Sequence, residues 1–195
     1  DAIVQLLEAF VSTGASPLTD SLAISGLLSA GSSFRRAVEQ GEQDLEARSM
    51  MAYAAFNSGV TLANAGLGII HGIAGYLGGR YGIPHGAACG VLAAPATELI
   101  IEALFDLEEE NNTALLKYGE AAKYLLHTDY GELEKNCNAL VNTLYQWADT
   151  YGLPRLSDYG VIEDDIPEIT AGSGKKNTPV DLDPEDVAEI IKARL

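Results

Sequence analysis

His71-Gly72-Ile73-Ala74-Gly75-Tyr76-Leu77-Gly78-Gly79-Arg80-Tyr81-Gly82-Ile83-Pro84-His85-Gly86 is the most glycine-dense stretch of this chain, and two of the chain's three histidines bracket it. Each of the two is followed directly by glycine, while the third, His127, stands apart. The stretch reads as one helix around His71 and a second starting near Pro84, which carries Leu92, Leu99 and Leu104 at helical spacing. Imidazole is the commonest side-chain metal ligand, and a neighbouring glycine lets backbone, metal or cofactor approach closely. Taken alone, the pair fits either metal ligation or two buried histidines with satisfied hydrogen bonds.

Working outward from this stretch, almost everything reads as helix. Ile3, Leu6, Leu7 and Phe10 share one face of an opening helix expected to end near Gly14. Ser16 before Pro17 is a cap followed by an N1 proline, and predicts a helix to about Gln40. Asp44 to Asn64 places Ala, Met, Tyr, Phe and Val at helical spacing. Residues 108–112, Glu-Glu-Glu-Asn-Asn, read as a solvated turn. Helices follow from about Thr113 to Leu126 and from Tyr130 to Tyr151, the latter amphipathic through Leu133, Cys137, Leu140, Leu144 and Trp147. Asp164-Asp165-Ile166-Pro167 opens a short helix, and Asp183-Pro184-Glu185-Asp186 caps the last one with acids at the positive end of its dipole. Gly172-Ser173-Gly174-Lys175-Lys176 lacks the first glycine, the Ser/Thr after lysine and the preceding strand of a phosphate loop. It reads as a flexible link. The expected fold is all-α, a single domain of about eight or nine packed helices over residues 1–195.

With 195 residues, 47% of them hydrophobic, the chain can bury a substantial core. Asp+Glu number 28 against 12 Lys+Arg, a net charge of −16. That balance excludes nucleic acid and an anionic membrane face as partners, because binding them depends on neutralising cations. The apolar run from Ala63 to Leu104 is interrupted by His71, Arg80, His85 and Glu98, so it reads as buried core rather than a membrane span. Cys89 and Cys137 show no C-x-x-C spacing and are expected as reduced, buried thiols. No basic region precedes an apolar one at the start, so no secretory leader is expected, and the expected location is cytoplasmic.

The opening residues bear on the histidine pair. Asp1-Ala2-Ile3-Val4-Gln5-Leu6-Leu7-Glu8 places Asp1 and Gln5 one helical turn apart on the same face. A carboxylate with two imidazoles is an ordinary ligand set for a divalent metal, with a position left open for substrate oxygen. Two blocks then carry a family resemblance. The first, Asp1-Ala2-x-x-Gln5-x-x-Glu8, looks like Asp-Ala-x-x-His-x-x-Glu. The second runs Asn64-x-Gly66-x-Gly68-x-x-His71-Gly72-x-x-Gly75-x-Leu77-Gly78 and on to Pro84-His85-Gly86. It looks like Gly-x-x-His-Gly-x-x-His-x-Leu-Gly followed by Pro-His-Gly, with the same separation of 14 (85 minus 71) between the histidines. The chain thus resembles the C-terminal helical domain of the iron-containing (group III) alcohol dehydrogenases, of the dehydroquinate synthase-like fold.

The resemblance implies that Asp1, His71 and His85 are metal ligands for Fe(II) or Zn(II). It puts Gln5 where many members have a fourth ligand, a histidine. It also puts Gly75 on the cofactor side, in place of a histidine that in many members lies near the nicotinamide. It implies an NAD(P)-dependent oxidoreductase acting on a small alcohol or aldehyde, with an N-terminal dinucleotide-binding domain that no segment of this chain supplies. The isolated chain is therefore expected to be inactive and to hold metal weakly or not at all. Since an amide is a poor neutral ligand, Gln5→His is expected to strengthen zinc binding, read by competition titration at neutral pH; equal affinities would mean that position 5 does not face the metal. Association into a homo-oligomer stays open. So do two other readings, a metal-free relative and a non-catalytic helical regulatory or assembly module.

Overall fold

The computed structural model describes residues 1–107, 109 and 112–195, and it is all-α. Among the described residues there are nine α-helices: α1 (Ala2–Val11), α2 (Pro17–Gln40), α3 (Leu45–Ala65), α4 (Ile69–Tyr81), α5 (His85–Asp106), α6 (Thr113–Leu126), α7 (Leu133–Thr150), α8 (Ile166–Gly172) and α9 (Pro184–Lys192). Short 3₁₀ turns at Leu156–Tyr159 and Glu163–Asp165 join α7 to α8. Of the acidic run at 108–112, Glu108, Glu110 and Asn111 lie outside the described residues. Asn112 caps α6, its side chain accepting from the Leu115 N–H at 3.1 Å.

α1 is the centre of the molecule. Eight of its ten residues are buried, Glu8 among them, as expected of a helix covered on nearly every side. The long pair α2 and α3 packs along it, with α6 and the start of α5 against its other faces. The α4–α5 and α6–α7 hairpins complete the layers, and α8 and α9 close the end against α4 and α5. α5 is long and apolar enough to cross a membrane, and 67% of its most apolar window is buried inside this fold, as the interrupted apolar run led us to expect.

Local signals set most boundaries. Ser16 and Thr19 form a reciprocal capping box at α2, with Pro17 at N1. Asp44 accepts from the Ala47 N–H at α3, and Asp183 and Asp186 form the box at α9. Two boundaries differ from the sequence expectation. α1 stops at Val11 rather than near Gly14, because Ser12 Oγ turns away to donate to the Ala65 carbonyl and the Thr13 N–H donates to the Asn177 carbonyl. α7 starts at Leu133 rather than Tyr130, because Gly131 takes the left-handed conformation (φ +83°) and Asn136 Oδ1 draws in the Tyr130 N–H.

The link after α8, expected to be flexible, is tied down just past its lysines. The Asn177 N–H donates to the Leu67 carbonyl, and Asn177 Nδ2 donates to Ala65. These contacts hold the Gly66-Leu67-Gly68 corner, where the helix axis turns by 102° between α3 and α4. Gly66 sits there at φ +70°, open to glycine and strained for other residues. The corner aims the first turn of α4, and His71 with it, at the start of α1.

Candidate metal centre

Three helix starts converge at one point. Asp1 is the N-cap residue of α1, His71 lies in the first turn of α4, and His85 is the first residue of α5, directly after Pro84. His71 Nε2 is 3.2 Å from Asp1 Oδ1, and His85 Nε2 is 3.7 Å from the same oxygen. The two imidazole centroids are 5.3 Å apart. The structure therefore brings together the carboxylate and both imidazoles singled out above.

Behind them stands Glu8, quoted in the first motif but given no role there. It is buried, as is His71. Its Oε2 lies 2.6 Å from His71 Nδ1, and its Oε1 accepts the Ile70 backbone N–H at 2.8 Å. A carboxylate that receives an N–H at the start of α4 is favoured by the helix dipole and the free amides there. With the Nδ1 proton directed at Glu8, the Nε2 of a neutral His71 turns its lone pair toward Asp1 Oδ1, 3.2 Å away. Positive charge between the two, a proton or a metal ion, would join them. A carboxylate behind a histidine, fixing its tautomer and raising its basicity, is the usual support of a metal-ligating imidazole.

Gln5 reaches the cluster through Asp1. Its Nε2 donates to Asp1 Oδ2 at 3.1 Å, and its Oε1 accepts from Ser58 Oγ at 2.7 Å. Gly75 lies one turn beyond His71, exposed, and a Cβ built on it would meet nothing within 4 Å.

A further residue joins the cluster. Cys89 Sγ lies 3.6 Å from His85 Nε2, and the donor atoms of Asp1, His71, His85 and Cys89 all lie within 4.8 Å of one another. The signal was present in the sequence as the spacing His85-x-x-x-Cys89, which puts both side chains on one face of a helix. Cys89 and Cys137 are both free and buried. Burial pushes the Cys89 thiol up to about 12. Burial, followed by the neighbouring His71, pulls His85 below the ordinary imidazole value and leaves its lone pair available at neutral pH.

A family model described as "Fe-containing alcohol dehydrogenase family, C-terminal" matches residues 1–195.

The chain belongs to that family.

Among its relatives, the NAD-dependent methanol dehydrogenase of Bacillus methanolicus is 31% identical, covering 100% of this chain and 50% of that protein. Alcohol dehydrogenase 4 of Schizosaccharomyces pombe is 47% identical over 94 residues, 48% of this chain and 22% of its own length. A crystal structure of 1,3-propanediol oxidoreductase superposes with a TM-score of 0.88 at 28% identity, covering 100% of this chain and 50% of that one. The chain spans about half the length of the relatives it matches from end to end. It matches the family's C-terminal region along its whole length, and the fold named by the resemblance is the fold observed. The donor set fits the divalent metal that this family name carries: two nitrogens, a carboxylate oxygen and a sulfur converge, with the carboxylate of Glu8 behind them.

Proposed function

We propose that this chain is the metal- and substrate-binding half of an NAD(P)-dependent alcohol dehydrogenase that interconverts small alcohols and aldehydes or ketones by hydride transfer. The observation that carries the reading is the convergence of Asp1, His71 and His85 from three separate helices, with Glu8 behind His71. Asp1, His71 and His85 would hold the ion, Fe(II) or Zn(II). When bound, such an ion supplies Lewis acidity at the alcohol or carbonyl oxygen, an effect of several kcal/mol.

The chain's own residues prepare that position. Glu8 keeps the proton on His71 Nδ1 and so frees Nε2. Gln5, itself held by Ser58, donates to the second oxygen of Asp1. Gly75 and Gly79 leave the adjoining face of α4 bare, with nothing within 4 Å of either Cβ position, which suits the close approach of a nicotinamide carried on another domain. The two free, buried thiols are consistent with a reducing, cytoplasmic setting.

Two measurements test the proposal. The 195-residue chain should bind Zn(II) in a competition titration and lose that binding in His71→Ala and in His85→Ala. It should bind NAD(P) only weakly and turn over no alcohol until an N-terminal dinucleotide-binding domain is supplied. Micromolar affinity of the chain for either nucleotide by calorimetry would show a cofactor site lying wholly within these helices and would overturn the division of labour proposed here.

A further inference from the structure

We infer that Cys89, as a thiolate, is the fourth ligand of this metal centre, and that Gln5 is a positioning residue for Asp1. The inference rests on the metal-site reading given above and adds a donor to it.

Both ends of the Gln5 amide already have partners. Its nitrogen faces a carboxylate oxygen of Asp1, which obliges it to donate, and its oxygen accepts from Ser58 Oγ. Cys89 is the reverse case. Its side chain has no solvent exposure, and its Sγ lies 3.6 Å from His85 Nε2 and within 4.8 Å of the donor atoms of Asp1 and His71. It follows His85 by four residues on α5, the spacing at which two ligands on one helix reach a single ion. The charge also closes: Asp1 and a Cys89 thiolate together neutralise a divalent cation. Binding would break the S–H bond, form a sulfur–metal bond and release one proton to solvent. A thiolate beside imidazoles is a softer donor set than carboxylate and imidazoles alone, which draws the site toward zinc.

X-ray absorption on the Zn(II)-loaded 195-residue chain reads the ligands directly. The expected spectrum contains one sulfur at roughly 2.3 Å beside nitrogen and oxygen donors at about 2.0–2.2 Å. Cys137→Ser should keep the sulfur contribution, and Cys89→Ala should lose it together with about tenfold to hundredfold in zinc affinity. Zinc bound by the unmodified chain through nitrogen and oxygen alone would overturn the role of Cys89 while leaving the three-ligand site in place. An unmodified chain that binds no zinc at all would overturn both. The unmodified chain decides the question even if Cys89→Ala fails to fold.

Discussion

Glu8→Ala will cost this protein both fold stability and metal. The side chain is 4% exposed and serves two partners at once, the Ile70 N–H through one oxygen and His71 Nδ1 through the other. Truncation leaves a buried backbone donor with no acceptor, at about 1–3 kcal/mol, and strips a buried histidine of its carboxylate. Losing a buried hydrogen bond to a carboxylate adds about 1.5–3 kcal/mol. For a chain of this size each kcal/mol shifts Tm by about 2–4 °C, so a fall on the order of 10 °C is expected in a thermal melt.

Glu8→Gln separates the two roles. The amide oxygen still accepts from Ile70, so the variant should melt within a few degrees of the unmodified chain. Its NH₂, however, then faces His71 Nδ1 and forces the ring proton to Nε2, where a metal would have to bind. Zinc affinity should fall by about tenfold to hundredfold in a protein that is otherwise folded. Unchanged zinc affinity in Glu8→Gln would disprove the tautomer argument.

The second large effect concerns two glycines three residues apart on α4. A Cβ on Gly72 would run into the carbonyl oxygen of Gly174, in the link between α8 and α9. That obstacle is backbone, held in place by the Asn177 hydrogen bonds close behind it, so it cannot swing aside as a side chain would. Gly72→Ala should therefore destabilise by about 3 kcal/mol or more, and it should move His71, its immediate neighbour. Gly75 lies in the same helix and carries the same intrinsic helix penalty, but a Cβ there meets open space. Gly75→Ala should stabilise by about 0.5–1 kcal/mol. Opposite shifts of Tm are thus expected from the same substitution in the same helix. Shifts of equal sign would contradict the packing of α4 against that link.

What could be read from the sequence divides by range. Helix starts whose signals lie within four residues were legible: Ser16-Pro17 before α2, Asp44 before α3, Asp183-Pro184 before α9. The end of α1 was not, because Ser12 is diverted by Ala65, 53 residues on, and Thr13 by Asn177. No local propensity encodes either contact. The same division holds at the candidate site. His71 and His85 drew attention through scarcity and their glycine neighbours, and Asp1 through the motif. Glu8 sat inside that motif, yet its partner lies 63 residues away and only the corner at Gly66 brings the two together. Cys89 was within reach of a helical-spacing argument from His85, but as one of two buried thiols it read as packing. Gln5 read as a weakened ligand from its place one turn after Asp1; its contact with Ser58, 53 residues on, had no local signal.

The three helices that meet at Asp1, His71 and His85 have a thermodynamic consequence for the whole molecule. An ion held there would tie residue 1 to residues 71 and 85, closing loops that span nearly half the chain. No such arrangement of donors survives in the unfolded ensemble, so binding energy becomes folding energy. At free metal a hundredfold above the dissociation constant the native state gains about 2.7 kcal/mol, a sizeable share of what usually separates folded from unfolded protein. Metal supply would then act on the lifetime of the chain. A chain stripped of its ion would open more often, meet proteases more often, and be cleared faster than its loaded counterpart.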